Sequence, residues 1–297
     1  MKGKLCLILI SRGPLFRIGV ELISNYIYSV KLYFKLIIEK AYMNQNFLVK
    51  YFGFPATLVH GDTLVLDRWN WIRGKIKPTK KAIKILDVGC GSGAFTIGLA
   101  KMGFDTLGLS WDERNQRTAR DRAKICNAEK AIFEIQDVRF LDKRKDLFGK
   151  FDIVLCTENI EHILDDQKLM TDMAACLKSN GQLLLTTPNF NYIPITKEDN
   201  GPFDTIETGW HVRRGYKSID FERLCLNSGF KINEIDYCSG FLSQKITYLW
   251  RNLNKINSIL SFGIILPFRF LPPLLDKSLT KIIGYPGFSI CLDATKI

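Results

Sequence analysis

Several absences narrow this chain before any motif is read. No stretch of its 297 residues approaches the ~20 uncharged apolar residues of a membrane-spanning helix, so none is expected. Met1–Ile10 holds two lysines and a short apolar run, but Ser11-Arg12 interrupts it and no small-residue cleavage site follows, which argues against a secretory signal. The eight cysteines (6, 90, 126, 156, 176, 225, 238, 291) form no CxxC and no metal-type spacing. They read as free thiols of a reducing compartment, which places the chain in the cytoplasm. Histidine is scarce: His60, His162 and His211 are all there are. There is no internal repeat and no low-complexity segment. Apolar residues at 46% and charged residues at 24% exclude wholesale disorder.

What is present begins with charge. The net charge of +12 is unevenly placed. Residues 1–50 carry eight Lys/Arg against two Asp/Glu, residues 51–238 carry twenty-seven against twenty-six, and residues 239–297 carry seven against two. A nucleic-acid enzyme more often spreads basic residues through its catalytic domain. Basic flanks that are also apolar and aromatic fit a surface that meets anionic lipid head groups.

Phe16, Val20, Ile23, Ile27, Val30, Phe34 and Ile37 alternate spacings of four and three, which predicts an amphipathic helix. Two readings fit that stripe: it packs on the protein's own core or lids its site, or it lies on a membrane surface.

From residue 83 strand and helix signals alternate: Ile83–Val88, Thr106–Leu109, Ala131–Ile135, Phe151–Cys156 and Gln182–Thr186 as strands, with Ala94–Met102, Asp112–Asn127 and Gln167–Lys178 as helices between them. This alternation predicts an α/β fold with a mostly parallel Rossmann-like sheet and helices on both faces. A long loop, Pro188–Gly215, holds three Pro and three Gly, and loops of that length are usually functional. Lys217–Ser228 reads as a helix, Lys231–Tyr237 as a strand, 241–285 as an apolar basic helical insertion, and 286–297 as an antiparallel edge strand that returns to the sheet. The expected organisation is an N-terminal appendage at 1–59, a core at 60–240, the insertion at 241–285, and that last strand.

The strongest local signal is Ile83-Lys84-Ile85-Leu86-Asp87-Val88-Gly89-Cys90-Gly91-Ser92-Gly93, a strand entering a glycine-rich turn that opens a helix. Glycines allow a tight turn and close backbone approach to a ligand, and the helix start aims N–H groups at it. GxGxG alone is weak. The strand before it, the helix after it and the acid two residues upstream make it stronger. A GxxG continuation of the dinucleotide type would put glycine at position 94, which is Ala94.

With this motif the sequence, over about residues 60–240, resembles the class I S-adenosylmethionine-dependent methyltransferases, whose first motif is (D/E)xGxGxG. The resemblance implies S-adenosylmethionine as cofactor, with Asp87, Gly89, Cys90, Gly91 and Gly93 at its methionine end. It implies an acid for the ribose after the second strand. Ser110 stands there instead and Asp112 follows two residues on, so either of these, or the downstream Asn115-Gln116, takes the ribose. After the third strand, Asp137 and Val138 match the segment that receives the adenine.

After the fourth strand comes Thr157-Glu158-Asn159-Ile160-Glu161-His162-Ile163. The end of such a strand borders the crevice where open α/β sheets bind ligands. Glu158, Glu161 and His162, at i, i+3 and i+4, share one face of a helical turn. Two carboxylates and an imidazole suit either general-base work on an acceptor hydroxyl or a divalent cation. This ExxEH is similar to that of ubiquinone-pathway O-methyltransferases and of small-RNA 3′-terminal ribose methyltransferases. The resemblance implies Mg2+ as a possible ion, held by Glu158, Glu161 and His162, and the RNA enzymes add a later histidine, matched here by His211. His211 therefore joins His162, Glu158 and Glu161 as a catalytic candidate, and the adjoining Arg213-Arg214 could hold an anionic group.

Pro188-Asn189 and the Gly209–Tyr216 stretch resemble bacterial methyltransferases of surface-polysaccharide or lipid pathways. The expected function is O-methylation of a small or lipid-linked acceptor, glycan or quinone-like. The basic flanks at 1–50 and 241–285 would attach the enzyme peripherally to the inner face of the plasma membrane. Two rivals stand beside it. One is an RNA ribose 2′-O-methyltransferase, against which the near-neutral core weighs; the other is a methyltransferase-like scaffold that binds without turnover.

Overall fold

Lys84–Val88 (β1) is buried at every residue after the first, on both faces, as a central strand of a parallel sheet must be when helices cover both sides. The computed structural model of the chain describes residues 46–59, 63–77 and 82–297. The amphipathic segment 16–37 and His60 lie outside the described residues.

Around β1 stand β2 (Asp105–Ser110), β3 (Ala131–Ile135), β4 (Phe151–Thr157), β5 (Leu177–Pro188), β6 (Phe230–Cys238) and β7 (Ser289–Lys296), in the order β3-β2-β1-β4-β5-β7-β6. The pairings from β3 to β5 are parallel, while β7 runs antiparallel to both β5 and β6. The expected Rossmann-like fold is therefore present: a mostly parallel sheet with an antiparallel element near one edge. The last strand differs in one respect. The sequence puts it at the edge, but it lies one place in, with β6 outside it. The crossover from β5 to β6 leaves a one-strand gap, and β7 turns back to fill it.

The described residues from Leu48 to Ile297 form one compact unit. Residues 48–59, grouped with the N-terminal appendage on sequence, belong with the core. Helix α1 (Phe54–Val59) sets the Phe54 ring edge-on to Trp69 of α2 (Leu64–Lys75), with centroids 5.3 Å apart, and Trp69 stacks on Phe95 at 6.3 Å. Trp69 is thus a core residue.

Between the strands lie α3 (Ala94–Lys101), α4 (Glu113–Ile125), α5 (Asp166–Cys176) and α6 (Ser218–Ser228). Asp112 caps α4 by accepting from the Arg114 and Asn115 N–H groups at 2.8 and 3.2 Å, satisfying donors a helix start leaves open. The α5 helix ends two residues before the expected Lys178, because Leu177 is extended and pairs with Phe151. After β6 the chain leaves the sheet through α7 (Phe241–Asn254), α8 (Ser258–Ile265) and α9 (Pro272–Ile283), then re-enters as β7. Among the described residues no helix is long and apolar enough to cross a membrane.

Candidate active site

The strand order reverses between β1 and β4, so the helices that follow these two strands depart to opposite sides and open a crevice at the strands' carboxyl ends. A cleft of about 350 Å3 occupies that place. Its floor is the glycine loop. The Gly89 and Cys90 N–H groups both donate to the Leu109 carbonyl, at 3.0 and 2.8 Å, which ties the loop to the end of β2. At Gly89 a Cβ would come within 2.3 Å of the Asn159 side chain, so no other residue fits beneath that neighbour. Gly91 is the opposite case: its φ is +51° and nothing lies within 4 Å of where a Cβ would be, leaving bare backbone open to the cleft. Gly93 begins α3 and stands off the cleft lining.

Asp87 does not line the cleft. It is buried, and its Oδ2 accepts from Thr96 Oγ1 at 2.6 Å, so it braces the first turn of α3; its Oδ1 has no partner. Burial raises its pKa to about 6. Cys90 is also buried: Gln116 Nε2 donates to its sulfur at 3.4 Å, and burial pushes the thiol well up.

Ser110, Asp112, Asp137 and Val138 all line the cleft. Asp137 is held on its side by Arg139, whose Nε donates to both carboxylate oxygens at 3.0 Å while its NH2 group donates at 2.6 Å. Those hydrogen bonds hold the Asp137 carboxyl below its ordinary range. The same guanidinium reaches Glu207 at 2.9 Å, and Glu207 in turn accepts from the Leu164 N–H at 2.6 Å. The long loop is thereby strapped across the cleft.

The fourth-strand motif divides. Glu158 has φ +48°, a conformation a non-glycine residue rarely adopts and one that marks functional sites. It pairs with Arg68 at 2.8 Å and accepts from Thr186 and Ser289 at 3.1 and 3.2 Å. Glu161 points elsewhere. It is fully buried, Thr187 Oγ1 donates to its Oε2 at 2.8 Å, and its Oε1 lies 4.0 Å from His162 Nε2. Burial, with Glu158 nearby, raises its pKa far above the usual carboxylate range. The His211 ring meets His162 edge-on at 4.6 Å, and burial, then His162, lowers its pKa to about 4. The loop is fixed there by the Val212 N–H donating to the Glu161 carbonyl at 2.9 Å.

Glu161, His162 and His211 thus gather, with ligand-type atoms all within 4.8 Å of one another. Glu158, expected in that group, is drawn off by Arg68, and His211 takes the third place. Arg213 and Arg214 are both engaged by the protein. Arg213 bonds Asp166, Tyr216 and the Ile163 and Leu164 carbonyls, while Arg214 bonds the Phe190 and Tyr192 carbonyls.

Sequence reasoning passed over Trp111, Asn159, Arg139 and Glu207, which line the same cleft. Trp111 offered a signal: a large aromatic directly after β2, and it is largely exposed. Arg68 and Glu207 offered none, since their partners lie 90 and 68 positions away along the chain.

The family model described as "Methyltransferase domain" matches residues 70–235. Ubiquinone biosynthesis O-methyltransferase of Coxiella burnetii (strain Dugway 5J108-111) is 32% identical to this chain across 43% of it and 60% of that protein, so the chain spans about three-fifths of that relative's length. Among solved structures, phosphoethanolamine N-methyltransferase 2 of Haemonchus contortus, in complex with S-adenosyl-L-methionine, superposes with a TM-score of 0.54 at 18% identity, over 85% of this chain and 59% of that one. Geranyl diphosphate C-methyltransferase of Streptomyces coelicolor A3(2) gives 0.53 at 12% identity, over 77% and 75%. At these identities the two structures are alike in fold alone.

Proposed function

The chain belongs to the methyltransferase-domain family, and from that premise we propose that it transfers the methyl group of S-adenosylmethionine to a hydroxyl oxygen of a small or lipid-linked acceptor. The observation that carries this reading is the cluster of Glu161, His162 and His211, whose His162 lines the same cleft as the glycine loop. A hydroxyl gives up its proton as it attacks carbon, and a positioned imidazole takes that proton.

The residues present suit the cofactor. Bare backbone at Gly91 admits a close-lying ligand, and the asparagine and acid side chains of the cleft offer hydrogen bonds to a nucleoside. Bound there, S-adenosylmethionine supplies an electrophilic methyl on its sulfonium sulfur. Gly89 and Gly91 hold the methionine end, with Asp87 shaping the loop from beneath. Asp112 or Ser110 meets the ribose; Asp137 and Val138 meet the adenine. His162, which lines the cleft, receives the acceptor's proton. Glu161 packs behind the imidazole, and His211 on the strap shields the pair from water. Glu158, anchored by Arg68, positions the turn that carries them.

The same trio supports a metal-assisted version. Two imidazole nitrogens and one carboxylate suit a first-row transition ion better than Mg2+, which prefers oxygen ligands.

The acceptor side is read as membrane-facing, at the cytoplasmic leaflet. Supporting this are the excess of basic residues in 239–297 and the exposure of large apolar residues there, such as Leu274 and Ile282.

The test is incubation of the purified chain with methyl-labelled S-adenosylmethionine and fractionated membrane and glycan extracts, followed by mass spectrometry of labelled products. An O-methylated product is expected. His162→Ala should slow its formation by about 10²–10⁴-fold, with cofactor affinity retained. Tight cofactor binding without labelling of any fraction would leave only a binding scaffold and sink the reading.

A further inference from the structure

A second cavity lies apart from the cleft. A space of about 950 Å3 opens at the same carboxyl edge of the sheet, but over β6 and β7, and it shares no lining residue with the cleft. Nothing in the chemistry above uses it. The α2 helix forms one wall with Asn70 and Trp71, and α9 forms the other with Pro272 and Thr280; Tyr237 and Tyr285 close the strand end. The α2 helix borders both sites, because its Arg68 reaches Glu158 of the cleft lining.

The charges of this cavity are sorted by depth. Asp276 is buried and already engaged, accepting from the Gly240 and Leu242 N–H groups at 2.7 Å each, which caps α7. Asp67 lies beside Ser239 and Ser243, and burial raises its pKa to about 6. The outer lining carries Arg73, Lys277 and Lys281, all exposed and without an ion pair among the described residues. Lys277 and Lys281 stand one turn apart on a single face of α9. Apolar side chains stand exposed beside these lysines: Leu274, one turn before Lys277 on the same stripe, is 77% exposed, and Ile282, next to Lys281, is 81% exposed.

We propose that this cavity is the binding site for the body of the acceptor, and that the acceptor is an amphipathic molecule bearing a phosphate. The proposal deepens the methyltransferase reading above and rests on it. Aromatic rings and prolines bury the apolar part, as in most ligand pockets. The three outer cations receive the phosphate, and the leucine face of α9 seats the opening against the lipid surface from which the molecule comes. From β6 or β7 to the end of β4 is two to three strand spacings, roughly 10–14 Å.

Calorimetric titration of the full chain with decyl phosphate, decanol and inorganic phosphate, alongside S-adenosylmethionine, tests this. Decyl phosphate is expected to bind saturably, and at least tenfold more tightly than either decanol or inorganic phosphate. The surface double variant Lys277→Glu/Lys281→Glu and the cavity-filling Asn70→Trp should each weaken it tenfold or more while cofactor affinity holds. Inorganic phosphate binding as tightly as decyl phosphate would point to free phosphate as the ligand and overturn the proposal. So would decanol binding as tightly, no saturable binding, or unchanged affinity in both variants. Cofactor binding in the same titrations reports on the cleft separately, so failure there would tell against the methyltransferase reading itself.

Discussion

Asp87 sits under the glycine loop with no cation to meet its charge, and its stability effect has a definite sign. Below pH 3.8 the carboxyl is neutral whether the chain is folded or not. As pH rises toward 6, the unfolded chain releases a proton that the folded one keeps, so stability falls across that window and is flat above it. A shift from 3.8 to about 6 corresponds to on the order of 3 kcal/mol. Asp87→Asn keeps an acceptor for Thr96 and removes the ionisation. Chemical denaturation at pH 4, 5, 6 and 7 should show the variant gaining on the wild type by up to about that amount as pH rises. Identical pH profiles would refute this account of Asp87. His211 makes a different point about the residue scale. Its place beside His162 depends on a loop that reaches across from beyond β5, so the pairing is invisible in local spacing.

At the level of elements, the glycine turn is where folding and binding separate. An alanine in the left-handed region costs about 1–2 kcal/mol. Gly91 and Gly103 are both left-handed with open space at Cβ, but only Gly91 lines the cleft. Gly91→Ala and Gly103→Ala should therefore lose similar stability, while only the former loses S-adenosylmethionine affinity, by tenfold or more. Equal affinity in the two variants, measured by calorimetry, would remove Gly91 from the cofactor contacts. Elements are also where the sequence spoke most clearly. The strands from β1 to β6, the capped α4 helix and the glycine loop follow from short-range periodicity and turn chemistry, and the structure has them. Three things depended on contacts far apart in sequence. Leu177 left the α5 helix to pair with Phe151, β7 slid inside β6, and Glu158 left its motif partners for Arg68. Each was decided by a neighbour in space that no window of a dozen residues contains.

For the whole molecule, the testable question is where its charge and exposed apolar surface lead it. Flotation with phosphatidylglycerol-containing liposomes should carry the intact chain upward at low salt and release it as ionic strength rises. Removing residues 1–50, or replacing Leu274 and Ile282 with Ser, should each reduce the floated fraction. If neither change has an effect, membrane attachment through the flanks is wrong. The placement of β7 has one more consequence. Cys238 and Ser289 are paired neighbours, so the whole excursion through α7, α8 and α9 departs and returns at points a single strand spacing apart. In evolutionary terms the excursion is a cassette: its two ends would be bridged by an ordinary hairpin turn, and an insert of another length or composition could be grafted between them without shifting the register of a single strand.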